Sequence, residues 1–117
     1  MKSSGRYMSP EQMKERILSF EYIRDADHKP IGVATLDHYG HIGWSLYNSA
    51  HEDEPESKDK GLLIAWNRGL KGIGWVHHDL CSKIGQLKDI KEDASRLEAA
   101  LETFNKMILR TLKGATA

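Results

Sequence analysis

Two lysines and an arginine carry the first chemical signal in this chain, in the run Ser57-Lys58-Asp59-Lys60-Gly61-Leu62-Leu63-Ile64-Ala65-Trp66-Asn67-Arg68. Leu63, Trp66 and Leu70 recur at helical spacing and predict a helix over 61–71, ended by Gly69, Gly72 and Gly74. A helix starting at Gly61 would offer free N–H groups and a positive dipole end beside Lys58 and Lys60, which favours an anion. Arg68 follows two turns along the same side, and its planar guanidinium suits phosphate. Gly61 and Ala65 are small residues on that side, so either a flat ligand or the protein's own sheet can come close.

The other reactive side chains do not assemble into a familiar site. His38 and His41 flank Tyr39-Gly40 with Asp37 beside them. Adjacent positions on a hairpin point to opposite faces, and zinc needs further ligands at supporting spacing. These residues therefore read as a polar turn, and His77-His78-Asp79-Leu80-Cys81 fails the same ligand count. Cys81 lies one helical turn after His77, a spacing that allows a thiol and an imidazole to meet. No third group to orient the histidine is recognisable. Nucleotide-binding glycine loops and the zinc-protease motif are also absent from the sequence. The expectation is a binding protein, not an enzyme, with no metal and no cofactor.

Bulk properties narrow the class further. At 117 residues the chain has room for one domain with a modest core, and 39% hydrophobic against 29% charged residues is ordinary for a globular fold. Seventeen basic residues balance seventeen acidic ones, so no overall field attracts nucleic acid or an anionic membrane. No apolar run is long enough to span a bilayer, and residues 1–9 do not resemble a signal peptide. A single cysteine, Cys81, fits a reducing cytoplasm.

The elements that must position these residues give an α+β fold. Ser9-Pro10-Glu11-Gln12 reads as a cap, an N1 proline and a first turn, predicting a short N-terminal helix over 10–19. Residues 20–47 read as a three-stranded antiparallel β-meander, with turns at Asp25–Pro30 and Asp37–Gly40; Ile42, Trp44 and Leu46 share one face. Residues 48–60 hold Glu52, Asp53, Glu54, Glu56 and Asp59 and read as an acidic loop. Finally Leu87, Ile90, Ala94, Leu97, Leu101, Phe104 and Ile108 alternate at spacings of 3 and 4. This heptad seam predicts one long helix over 87–113, about 39 Å at 1.5 Å per residue. A helix of that length outruns a small meander, so the seam is expected to pair two copies in a homodimer or higher homo-oligomer.

The strand end Gly43-Trp44-Ser45-Leu46-Tyr47-Asn48, the segment Asp53-x-Pro55-x-x-Lys58 and the helix Gly61-x-x-Ile64-Ala65-x-x-Arg68 resemble a layout found in small phage-encoded proteins. In those proteins the strand end reads Gly-x-Ser-x-Cys-Asn and the loop Asp-x-Phe-x-Lys, so Tyr47 and Pro55 are departures. The layout is similar to that of the Thoeris anti-defence sponges, which bind cyclic ADP-ribose-type signals of bacterial immunity. The resemblance implies an N-terminal sheet, C-terminal helices that join protomers, and sequestration of a nucleotide second messenger without catalysis. Lys58, Lys60 and Arg68 would neutralise phosphate, Trp44 or Tyr47 would stack on a base, and Ser45 and Asn48 would bind ribose or base edges. An alternative function is inhibition of a bacterial defence nuclease or CRISPR effector, with the acidic loop at Glu52–Glu56 gripping a basic protein surface.

Overall fold

Four helices and a three-stranded sheet make up a computed structural model that describes residues 10–47 and 55–116. The order is α1 (Pro10–Arg16), β1 (Ile17–Arg24), β2 (Pro30–Asp37), β3 (Ile42–Leu46), α2 (Pro55–Gly69), α3 (Ile73–Asp89) and α4 (Ser95–Thr116). The α+β class and the antiparallel meander in the order β1-β2-β3 agree with the sequence analysis.

Several boundaries differ, each for a physical reason. The N-terminal helix stops at Arg16 instead of residue 19, because Ile17 to Arg24 pair along β2 as a strand. Strand pairing there overrides the helical spacing of Ile17 and Leu18. The segment 48–60 is not all loop: α2 begins at Pro55, a residue suited to the first helical position. Helix α3 is an element the sequence reading did not place. Its apolar stripe is present at Val76, Leu80 and Ile84, all buried.

The long helix expected over 87–113 is divided in two. Lys91 adopts φ 58°, its N–H bonds the Lys88 carbonyl at 3.0 Å, and Glu92 N–H bonds the Leu87 carbonyl at 2.8 Å. This pair of bonds around a left-handed residue is a Schellman stop, normally built on glycine. A new helix then starts at Ser95, whose N–H is taken by the Asp93 carboxylate at 2.9 Å. The chain reverses at this break, so α4 packs back across the sheet.

The core has two parts, one on each face of the sheet. On one face Ile23, Ala34, Ile42 and Trp44 meet Leu80 of α3 and Phe104 of α4. On the other, Val33 and Tyr47 meet Leu62 and Ala65 of α2. The second contact is close. A Cβ on Gly43 would lie 1.7 Å from the Ala65 carbonyl oxygen, and one on Gly69 would lie 2.9 Å from the Gly43 nitrogen. Both positions need glycine for helix and strand backbones to touch.

The seam residues accordingly serve this chain's own core. Phe104 is fully buried within one protomer, and Leu87, Leu97, Leu101 and Ile108 pack against the same cluster. Ile90 sits in the break and is exposed. The heptad spacing is therefore the inner face of α4 plus the end of α3, and Phe104 is not free to meet a second copy. Among the described residues no helix is long and apolar enough to cross a membrane.

Candidate functional site

The residues expected to bind a ligand fall into two separate groups. Trp44, Ser45 and Tyr47 are all buried, at 3%, 1% and 5% exposure. Their rings and hydroxyls serve packing, not an open stacking platform. Asn48 lies outside the described residues, as do the side chains at 52–56. Because α2 starts at Pro55, Lys58 and Lys60 stand within the helix and not ahead of its N-terminus. Lys58 and Arg68 are then separated by about 15 Å along the helix axis, too far to share one phosphate.

Arg68 belongs to the sheet edge. Its guanidinium lies 4.2 Å from the Trp44 ring centroid and donates to the Trp44 carbonyl at 3.0 Å. Burial lowers its pKa from the usual value, while the Asp79 carboxylate acts in the opposite direction. Lys83, ion-paired to Asp79 at 3.2 Å, approaches the same indole at 5.6 Å. The Trp44 Nε1 is buried without a hydrogen-bond partner.

Asp37 ties the β2–β3 turn to α2. Its carboxylate accepts the N–H groups of Tyr39 and His41, each at 2.9 Å, and pairs with His41 Nδ1 at 2.9 Å. The Trp66 indole N–H also donates to it at 3.3 Å. Burial alone would raise this carboxyl's pKa, but the bonds from His41 and Tyr39 outweigh it and hold the value below the ordinary one. This cluster is a turn anchor, as the sequence suggested. Among the described residues no three His, Cys, Asp or Glu side chains gather to hold a metal ion.

The exposed face of α3 does bring Cys81 and His77 together, with Sγ 3.8 Å from Nε2. The His77 ring stacks on Phe104 at 6.2 Å, so packing sets its orientation.

The remaining group gathers at the opposite end of the sheet. Lys58 Nζ lies 5.8 Å from the Tyr22 ring centroid, and the Arg24 guanidinium lies 5.6 Å from it. Beside them, the Tyr47 hydroxyl is buried with no hydrogen-bond partner. Burial first, and the neighbouring Tyr22 second, raise the Tyr47 pKa to about 12. Gly61 permits this arrangement, since a Cβ there would lie 2.6 Å from the Tyr47 ring. From this point a groove of about 670 Å³ runs between the β1–β2 turn and α4, lined by Tyr22, Arg24, Asp25, His28, Glu102 and Lys106 among others. Its volume lies within the range of small-ligand sites.

Of the expected ligand residues that the structure describes, Lys58 and Tyr47 adjoin this groove's end through Tyr22. Tyr22, Arg24, His28 and Lys106 were not singled out by the sequence. Tyr22-x-Arg24 before a polar turn offered a weak signal, because alternate strand residues share a face. Lys106 offered none, since only the fold of α4 brings it there. No family model, curated protein or solved structure matches the chain.

Proposed function

We propose that this protein binds and sequesters an anionic nucleotide second messenger without turning it over, using the groove between the β1–β2 turn and α4. The observation that carries this reading is the Tyr22 ring with Lys58 and Arg24 both within 6 Å of its centroid, at the head of that groove. Aromatic faces take bases and cations take phosphates. Arg24, His28 and Lys106 supply donors along the groove, and Asp25 and Glu102 supply acceptors for ribose hydroxyls. The likeness to Thoeris anti-defence sponges supports cyclic ADP-ribose-type or other cyclic nucleotides as the ligand class. The rival, a protein-binding inhibitor of a defence nuclease or CRISPR effector, would act through residues 52–56.

Titration calorimetry with cyclic ADP-ribose and a panel of cyclic nucleotides tests the proposal. A bound nucleotide should be released chemically unchanged on heating. Lys58→Ala and Lys106→Ala should each weaken binding by roughly tenfold, the usual consequence of losing one charge-assisted contact. If no nucleotide binds the wild type below about 100 μM, too weak for sequestration, the reading fails.

A further inference from the structure

Two side chains lining the groove, Thr103 and His28, make no hydrogen bond or ion pair among the described residues. Thr103 of α4 is only 8% exposed, so its hydroxyl has given up most of its water. Thr111 on the same helix turns its hydroxyl back to the Met107 carbonyl at 2.9 Å, whereas Thr103 makes no such bond. Unlike the sealed Tyr47 hydroxyl, that of Thr103 is reachable from the groove. His28 holds φ 65°, a left-handed conformation that histidine tolerates better than most residues. Its N–H bonds the Asp25 carbonyl and its own carbonyl accepts Arg24 Nη1, each at 2.9 Å. The Asp25 carboxylate takes the N–H groups of Asp27 and Lys29 and so braces the turn. The backbone at His28 is thus committed, and its ring is what the turn offers to the groove.

Charge decides what this pair can hold. The lining carries Glu21, Asp25 and Glu102 against Arg24 and Lys106, and Arg110 offsets Glu21 through their ion pair. Asp27 and Lys29 on the turn cancel, and Lys58 acts at the Tyr22 end. Carboxylates and cations around His28 and Thr103 therefore balance, which leaves little to attract a dianion. A proton on His28 tips that balance, and imidazole is the side chain that ordinarily gains one between pH 5 and 8. Lys106 follows Thr103 by three residues, so both face the same side of α4. Its ion pair with Glu102 is long at 3.7 Å and exposed, which makes it weak and easily exchanged for another anion.

We propose that Thr103, Lys106 and His28 form a phosphate subsite in which His28 takes up a proton as the anion binds. The Thr103 hydroxyl donates to a phosphate oxygen, while Lys106 and the imidazolium neutralise the charge. The ligand is thereby ordered in the groove, with its phosphate between α4 and the β1–β2 turn and its base toward Tyr22. The subsite rests on reading this groove as the nucleotide site. It adds a direction to the pH dependence: anion and proton each strengthen the binding of the other, so affinity rises as pH falls.

Sulfate is the probe, a tetrahedral dianion whose charge stays fixed while imidazole titrates. Calorimetry on the full chain at constant ionic strength reads its binding. Wild-type affinity should fall by about tenfold between pH 5.5 and 7.5, following the protonated fraction of an ordinary imidazole. Paired titrations in two buffers of different ionisation heat should show proton uptake on binding. His28→Asn retains a residue that accepts the left-handed turn and should abolish the pH dependence. Thr103→Val keeps the shape without the hydroxyl and should weaken sulfate by about threefold to tenfold, the loss of one hydrogen bond. His38→Asn, in the turn at the other end of the sheet, should change nothing. Sulfate that does not bind, binds without regard to pH, or binds Thr103→Val as well as wild type overturns the subsite. Cyclic ADP-ribose titrated in the same way separates this proposal from the one it rests on. If that nucleotide binds without proton uptake, the subsite fails and nucleotide binding stands. If sulfate behaves as expected and no nucleotide binds, the subsite stands and nucleotide sequestration falls.

Discussion

The Arg68 guanidinium lies over Trp44, 4.2 Å from the ring centroid, while donating to the carbonyl of that same residue at 3.0 Å. One side chain thus covers an indole face and caps an open strand edge. The arginine that sequence spacing marked for phosphate is a clasp between α2 and β3.

Arg68→Ala should therefore destabilise the protein, by about 1–3 kcal/mol for a charged donor lost from a partly buried carbonyl. Nucleotide affinity should change little once the fold is intact. Urea unfolding beside calorimetric titration separates the two effects. A variant with wild-type stability and lost binding would return Arg68 to the ligand site.

Acid should loosen the β2–β3 turn. The Asp37 carboxyl has a folded pKa below its unfolded value, so its contribution is fully present above the unfolded pKa of about 3.9. That contribution is lost as pH falls through the lower folded value. Asp37→Asn should lower stability at neutral pH and flatten this acid limb. Denaturation midpoints from pH 2 to 7 check it, and an unchanged limb would remove Asp37 as its source.

Alkali should act through Tyr47. Its folded pKa is about 12, and the unfolded value is about 10. The unfolded chain therefore loses this proton first, and stability declines as pH rises from 10 toward 12. The decline is on the order of 2–3 kcal/mol at most. Tyr47→Phe should abolish that limb. It should also stabilise the neutral-pH protein by about 1 kcal/mol, since it removes a buried hydroxyl with no partner. Thermal scans of both chains at pH 7 and 11 give the answer.

The break between α3 and α4 offers a stabilising substitution. Lys91 holds φ 58° at a position where glycine has no side-chain conflict. Lys91→Gly should raise stability by about 1 kcal/mol, relieving the left-handed penalty. Lys91→Val should lower it, because β-branched residues resist that conformation. Chemical denaturation of the three chains tests the order.

Local pattern alone determined much of this molecule. Alternation at Ile42, Trp44 and Leu46, with turn residues at Asp25–Lys29 and Asp37–Gly40, specified the meander, because strand periodicity and turn chemistry are properties of neighbouring residues. Gly69 marked the end of α2 for the same reason. What the sequence left open depended on distant contacts. The seam from Leu87 to Ile108 has one spacing whether it faces a second copy or its own sheet. Only the Schellman stop at Lys91, built without glycine or proline, turned α4 inward. Lys58 and Arg68 lie near each other in sequence, but the sheet beneath α2 divides them between Tyr22 at one end and Trp44 at the other. Tyr22, Arg24 and Lys106 meet only because α4 crosses the sheet to β1. Periodicity records which face of an element is apolar, whereas tertiary packing decides what that face meets.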